Sequence, residues 1–124
     1  MFNQAHIGID IIEIARIERA IARWGKRFLQ RVYTESELRL YHKKPESLAA
    51  RFAGKEAVIK ALGGCPKGIN WKEIEILSDP NGKPLVHLYG KVRNRANSLG
   101  LDSLSISLSH SREYATALVA GETR

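Results

Sequence analysis

The stretch Arg51–Leu62, Arg-Phe-Ala-Gly-Lys-Glu-Ala-Val-Ile-Lys-Ala-Leu, constrains this chain most. At about 100° per residue, Leu48, Phe52, Ile59 and Leu62 fall on one side of a helix, and Ala50, Gly54, Ala57 and Ala61 on the other. A large apolar face opposite a small-residue face predicts a helix buried on two sides. Lys55 then sits near the centre of the large apolar arc, with Glu56 at its edge. A charge in that setting is costly unless it is paired or bound. Two readings follow. In one, Lys55 snorkels and Glu56 pairs with Lys60 at i, i+4. In the other, the lysines hold an anionic ligand and the glutamate holds a metal.

The flanking sequence predicts how this helix is packaged. Ile7–Ile12 alternates, with Ile7, Ile9 and Ile11 on one face and Gly8, Asp10 and Ile12 on the other, so it reads as a short strand entering a helix. Asp10 with Glu13 fits an aspartate form of the capping box, or else Asp10 is a carboxylate directed from a strand into a site. A first helix spans about Ile14–Trp24. Ile14, Ile17, Ile21, Trp24 and then Phe28 form its apolar stripe, opposite Arg16, Arg19, Arg23, Lys26 and Arg27. Thr34 and Glu37 make a capping box for a helix to about His42, with Tyr33 and Leu38 placed as a hydrophobic staple. Ser47 is the expected cap of the central helix, and Gly63-Gly64 its end. That glycine pair could alternatively bring N–H groups to a phosphate.

Beyond the Cys65–Asn70 loop, Trp71–Leu77 and Leu85–Leu88 read as a hairpin around Asp79-Pro80-Asn81-Gly82. Lys91–Leu99 reads as a helix. Leu104–Ser109 and Tyr114–Val119 read as a second hairpin, turning through Ser109–Glu113. Four helices mixed with five strands predict an α+β fold, one domain over residues 1–124. A chain of 124 residues can bury roughly two thirds of its unfolded surface.

The net charge of +7 calls for an anionic partner: nucleic acid, a phosphorylated small molecule or an acidic protein. Cys65 is the single cysteine, which excludes an internal disulfide and a cysteine-based zinc site. No apolar run approaches the length of a membrane span, and the N-terminus lacks a signal-peptide pattern. The expectation is a soluble cytoplasmic protein without a membrane partner. There is no Walker loop, no Gly-x-Gly-x-x-Gly and no His-Glu-x-x-His. A Ser-His-acid triad around His110 is unfavourable, because Ser109 and Ser111 neighbour it on a strand and point to the opposite face. Asp10 and Glu56 are two carboxylates in apolar elements, with lysines beside one of them. Such hard oxygen ligands suit Mg²⁺, which also takes waters and phosphate oxygens.

The segments Gly8-Ile9-Asp10-Ile11 with Glu13 and Arg16-Ile17, Arg51–Ala57 through Lys60-Ala61, Asn81-Gly82-Lys83-Pro84, and Ser107-Leu108-Ser109-His110-Ser111 with Glu113-Tyr114-Ala115 resemble the bacterial holo-acyl-carrier-protein synthases. These form part of the 4′-phosphopantetheinyl transferase superfamily, and the similarity runs in order along essentially the whole chain. The resemblance implies that family's fold, with antiparallel strands packed on helices. It implies transfer of 4′-phosphopantetheine from coenzyme A to a serine of acyl carrier protein in fatty-acid biosynthesis, leaving adenosine 3′,5′-bisphosphate. It further implies Mg²⁺ on Asp10 and Glu56, which carry the catalysis, and a homotrimer with sites between subunits. Lys60, Arg51, Gly63, Pro84, Ser109, His110 and Ser111 would contact coenzyme A. The basic helix, through Arg16, Arg19, Arg23, Arg27 and Phe28, would dock the acidic carrier protein. The attacking serine's proton would pass to a metal-bound water or to a carboxylate such as Glu56. The competing reading is a non-enzymatic basic module for RNA or another polyanion. It accounts for the arginines but not for the charged pair in the central helix.

Overall fold

A computed structural model of the protein describes residues 5–65 and 67–123. Of the loop expected over Cys65–Asn70, Pro66 lies outside the described residues, as do residues 1–4 and 124 of the expected domain. The elements are β1 (Ala5–Glu13), α1 (Ile14–Trp24), α2 (Lys26–Val32), α3 (Glu35–Tyr41), α4 (Pro45–Ala61), a 3₁₀ turn (Trp71–Glu73), β2 (Ile74–Ser78), β3 (Pro84–Leu88), α5 (Gly90–Ser98), β4 (Ser105–His110) and β5 (Tyr114–Glu122). The expected α+β class holds.

Two antiparallel sheets flank the central helix. One has the order β1-β5-β4, the other is the β2-β3 hairpin. In the first, Asp10 pairs with Ala117, which pairs in turn with Leu108 on β4. Helix α4 lies on the inner face of this sheet, where Ile12, Ala115, Ala117 and Val119 are buried. The close approach depends on small residues. A Cβ on Gly8 would lie 1.9 Å from the Ala57 carbonyl oxygen, so only glycine fits. On its other flank α4 meets β2, whose Ile74 and Ile76 are fully buried. The helix is therefore covered on both sides, as its pattern predicts.

Several local expectations are corrected. Asp10 is not a helix cap: β1 continues through Glu13, in register with β5, and Glu13 occupies the N-cap position without a side-chain bond. Ser47 does not cap α4. The helix starts earlier, with Pro45 in its first turn and Lys44 as N-cap, because proline's fixed φ suits that position. The first helix ends at Trp24 as expected, but an unexpected separate α2 follows Gly25. This leaves Trp24 half exposed instead of in the core. Trp71 opens a 3₁₀ turn capped by Asn70 and Glu73, so the strand begins at Ile74. The second turn is Ser111–Glu113, since β4 extends through His110. The Thr34/Glu37 capping box is present as expected.

Among the described residues, the outer face of the three-stranded sheet is left exposed. Ile7, Ile9 and Ile11 are each more than 60% exposed, and Leu118 and Tyr114 are more than 40% exposed. Among the described residues no helix is long and apolar enough to cross a membrane.

Candidate active site

Strand β1 and helix α4 bring Asp10, Glu56 and Lys60 together. Asp10 points to the inner face with Gly8 and Ile12, towards the helix. The Lys60 ammonium donates to Asp10 Oδ1 at 3.0 Å and to the Ile9 carbonyl at 3.0 Å. The expected Glu56–Lys60 pair is thereby replaced by a Lys60–Asp10 contact between elements. Glu56 is half-buried and faces the same place. Its carboxyl is pushed above the ordinary range, first by burial and then by the Asp10 charge, while Lys60 and Arg16 oppose the rise. Arg16 thus reaches the electrostatic neighbourhood of Glu56, although it belongs to the face expected to serve docking alone.

Lys55 is absent from this cluster. It is fully buried on the opposite flank of α4 and pairs at 2.8 Å with Glu37, itself fully buried. The reading of Lys55 as a ligand-neutralising cation is therefore withdrawn. Sequence reasoning gave Glu37 only a capping role. Its pairing spans 18 residues and two helices, and no local pattern signals that.

Arg51 is buried one turn before Lys55. Its Nε donates to the Ile76 carbonyl at 3.1 Å and its Nη2 to Ser78 Oγ at 3.0 Å, and the guanidinium lies 3.6 Å from the Tyr41 ring centre. Gly63 follows Lys60 by one turn. With Gly64 it forms a Schellman ending: Gly63 N–H donates to the Lys60 carbonyl at 3.0 Å and Gly64 N–H to the Ile59 carbonyl at 2.9 Å. Both N–H groups are engaged in ending the helix, and Gly63 has φ +71°.

The remaining expected contacts lie elsewhere. Pro84 opens β3. Ser109, His110 and Ser111 are exposed at the end of β4. Ser111 Oγ accepts the Tyr114 N–H at 3.2 Å in the turn. Ser109 pairs with Thr116, level with Ile11, and shares the outer sheet face. It is thus two strand spacings, roughly 10 Å, across the sheet from β1 and on the opposite face from Asp10. One chain does not gather Ser109 around Asp10 and Glu56, whereas His110, in register with Ala115 and Ile12, is on the inner face with Asp10.

Arg19, Arg23 and Arg27 are exposed on α1 and α2. Arg23 lies 4.9 Å from the Trp24 ring centre. Trp24, Arg27, Phe28 and Arg31 line an open groove beside them. Phe28 is half-buried, edge-on to Tyr33 at 6.1 Å.

The sequence profile of the 4′-phosphopantetheinyl transferase superfamily matches residues 6–119. This chain belongs to that superfamily. A holo-[acyl-carrier-protein] synthase of Dehalococcoides mccartyi is 56% identical over 117 residues, covering 94% of this chain and 98% of the relative. One from Chlamydia felis is 54% identical over 121 residues, covering 94% and 95%. The crystal structure of the Helicobacter pylori synthase in complex with coenzyme A superposes with a TM-score of 0.83 at 39% identity, covering 93% of this chain and 98% of that one. For a superfamily transferase, two facing carboxylates bordered by a lysine and an arginine are a chemically apt arrangement. Among the described residues no three His, Cys, Asp or Glu side chains cluster as a closed metal cage. A hard cation that keeps waters and takes substrate phosphate oxygens needs only one or two carboxylates, so Asp10 and Glu56 fit Mg²⁺ by their chemistry.

Proposed function

We propose that this chain transfers 4′-phosphopantetheine from coenzyme A to a serine of apo acyl carrier protein, with Mg²⁺ held by Asp10 and Glu56. The observation that carries the reading is the convergence of β1 and α4, where Lys60, one turn from Glu56, meets Asp10 at 3.0 Å. When bound, Mg²⁺ supplies Lewis acidity towards the pyrophosphate and offsets charge on the leaving bisphosphate. The serine oxygen forms the new bond to phosphorus and yields its proton to water or to a carboxylate such as Glu56 as the bond to adenosine 3′,5′-bisphosphate breaks.

The chain's own residues have distinct tasks in this reading. Asp10 and Glu56 present oxygen ligands from two rigid elements. Lys60 is half exposed on a flexible stem, so it can exchange its Asp10 contact for a phosphate oxygen. Gly63 lets the chain leave α4 beside that phosphate without a side chain in the way. Arg51 supports the site by hooking α4 to β2, and any coenzyme contact it makes is additional to that. Arg19, Arg23 and Arg27 offer charge to an acidic carrier protein, with the Trp24–Phe28 groove as the apolar anchor point.

Pro84, Ser109, His110 and Ser111 act from a neighbouring copy. The bare outer sheet face supports this: a row of isoleucines beside Leu118 is the kind of surface that self-association buries. Ser109 lies on that same face. The assembly we propose is a homotrimer in the cytoplasm. A polyanion-binding module would explain the arginines and leave the coupled carboxylates without a role.

The test is to incubate the protein with coenzyme A, Mg²⁺ and apo acyl carrier protein and to read the carrier's intact mass. A gain of one phosphopantetheine is expected. No gain with a folded carrier and coenzyme present overturns the reading.

A further inference from the structure

The residue immediately before Glu56 is held from three directions. The buried Lys55 ammonium donates to Glu37 Oε1 at 2.8 Å, to the Trp71 carbonyl at 3.3 Å and to the Ile74 carbonyl. These three bonds use all three of its donors. Glu37 is equally committed. Its Oε1 also accepts the Thr34 N–H at 2.8 Å, and its Oε2 accepts the Ile76 N–H at 2.8 Å. One ion pair thus joins α3, α4, the 3₁₀ turn and β2.

The ion pairing alone does not argue for stability, since apolar residues of similar volume often do as well, but the pair also satisfies the Trp71 and Ile74 carbonyls and the Thr34 and Ile76 N–H groups. A satisfied pair supplies direction, since its bonds are made at one orientation of the helix only. On the sheet-facing side of α4 the directional bonds are those of the half-exposed Lys60 to Asp10 and the Ile9 carbonyl. Ala53, Ala57 and Ala61 lie there, with Gly8 opposite, and small side chains interlock shallowly. On the other flank Lys55 and Arg51 hook β2 and add a second hold on the rotation of α4 about its axis. A carboxylate roughly 6 Å from the helix axis moves about 2 Å for a rotation of about 20°. A misplacement of ~1 Å can cost on the order of 10²-fold in rate.

We propose that the Lys55–Glu37 pair is a positioning device that fixes the rotation of α4 so that Glu56 meets Asp10. This rests on the reading of Asp10 and Glu56 as the metal-holding carboxylates. Lys55 acts through Glu56 and touches no substrate.

The experiment compares wild type with Lys55→Met/Glu37→Leu, with Glu37→Asp, and with Glu56→Gln as the control for the site. The readouts are melting temperature, kcat and KM for coenzyme A, and the Kd of Mn²⁺ from the spin-resonance signal of the free ion. The apolar double variant is expected to stay folded, with kcat at least about tenfold lower, coenzyme A KM within about threefold, and Mn²⁺ Kd raised at least about threefold. Glu37→Asp keeps the charge but retracts it by one methylene, and should lie between the double variant and wild type. Wild-type Mn²⁺ affinity in a folded double variant overturns the proposal. If the double variant does not fold, Glu37→Asp decides by the same criterion. Wild-type Mn²⁺ affinity in Glu56→Gln instead overturns the carboxylate-site reading, so the two failures are distinguishable.

Discussion

Lys60 and Asp10, 50 residues apart in sequence, meet at 3.0 Å across the contact between α4 and β1. The contact joins the helix that carries Glu56 to the strand that carries the second carboxylate. It also means that Asp10 keeps a counter-charge, while Glu56 is pushed upward by burial and by the Asp10 charge. Function and stability are set against each other at Glu56.

The first prediction follows from that opposition. A carboxyl whose folded pKa lies above its unfolded value favours the fold at low pH, and this contribution is lost as pH rises through the folded pKa. At pH 7 the ionised Glu56 is therefore a burden on the fold. Glu56→Gln should raise the melting temperature at pH 7 by about 1–4 °C, with the gain vanishing towards pH 4. Turnover should fall on the order of 10²-fold or more. Calorimetry at both pH values alongside carrier-mass assays checks it. A melting temperature that drops at pH 7 would contradict the sign.

Metal dependence should share the same titration. Protons and a divalent cation compete for Glu56, so the Mg²⁺ concentration for half-activation should rise as pH falls through its raised pKa. Asp10→Asn should lose turnover on the order of 10²-fold with a melting temperature close to wild type, since Asp10 caps no helix. Activity that is undiminished in excess EDTA would remove the metal from the mechanism.

The central helix and the strand carrying Asp10 were legible in the sequence because both signals are local. Alternation identified β1, and two opposed faces identified α4 as buried on both sides. What could not be read was long-range pairing. Lys55 was placed correctly in an apolar arc, yet its partner Glu37 comes from another helix, where a capping box already accounted for it. The isoleucines of β1 were assigned one face, but periodicity does not say whether a face meets a core or a second copy. Asp10 matched a cap because Glu13 follows at the right spacing. Nine residues of register with β5 outweighed that local option. At Ser47, the proline at the first helical position prevailed over a good capping residue two positions later.

Backbone proximity gives the third prediction. Gly8→Ala would press a methyl against the Ala57 carbonyl at the contact of β1 with α4, with backbone on both sides and no flexible side chain to yield. Overpacking of this kind costs about 1–3 kcal/mol and sometimes more. The variant should melt at least about 5 °C lower, and turnover should fall with it because the same shift separates Asp10 from Glu56. A melting temperature equal to wild type would mean that the helix can lift from the sheet freely.

Assembly is tested on the outer face of the sheet. Light scattering of wild type should give about three times the 13.9 kDa chain mass. Ile9→Lys places a charge among exposed isoleucines, beside Leu118 in the register, without entering the core. It should give a folded monomer with coenzyme A turnover lowered at least about tenfold, because in the proposed trimer Ser109 and its neighbours come from a second copy. A fully active monomer would show that one chain completes the site.

The last prediction concerns the arginine face, and Arg16 must be kept out of it. Arg16 acts on Glu56, so reversing it would disturb the carboxylate site together with any docking. Arg19, Arg23 and Arg27 are exposed and none of them is among the charges that act on Glu56. Arg27 lines the groove of Trp24 and Phe28 and Arg23 lies over Trp24, so a helix of an acidic partner would find both charge and an apolar slot there. Exposed pairs are worth roughly 0.2–1 kcal/mol each, and rim charges act mainly on encounter rate. Replacing attraction by repulsion at three positions should raise the carrier-protein KM at least about tenfold, while the coenzyme A Kd stays within about twofold of wild type. Raising salt towards ~0.5 M should weaken wild type in the same direction, because screening shortens to a few ångströms. Side-by-side measurement of the two constants for wild type and Arg19→Glu/Arg23→Glu/Arg27→Glu decides it. An unchanged carrier KM would place docking elsewhere, and a parallel loss of coenzyme A binding would assign this face to the coenzyme's phosphates.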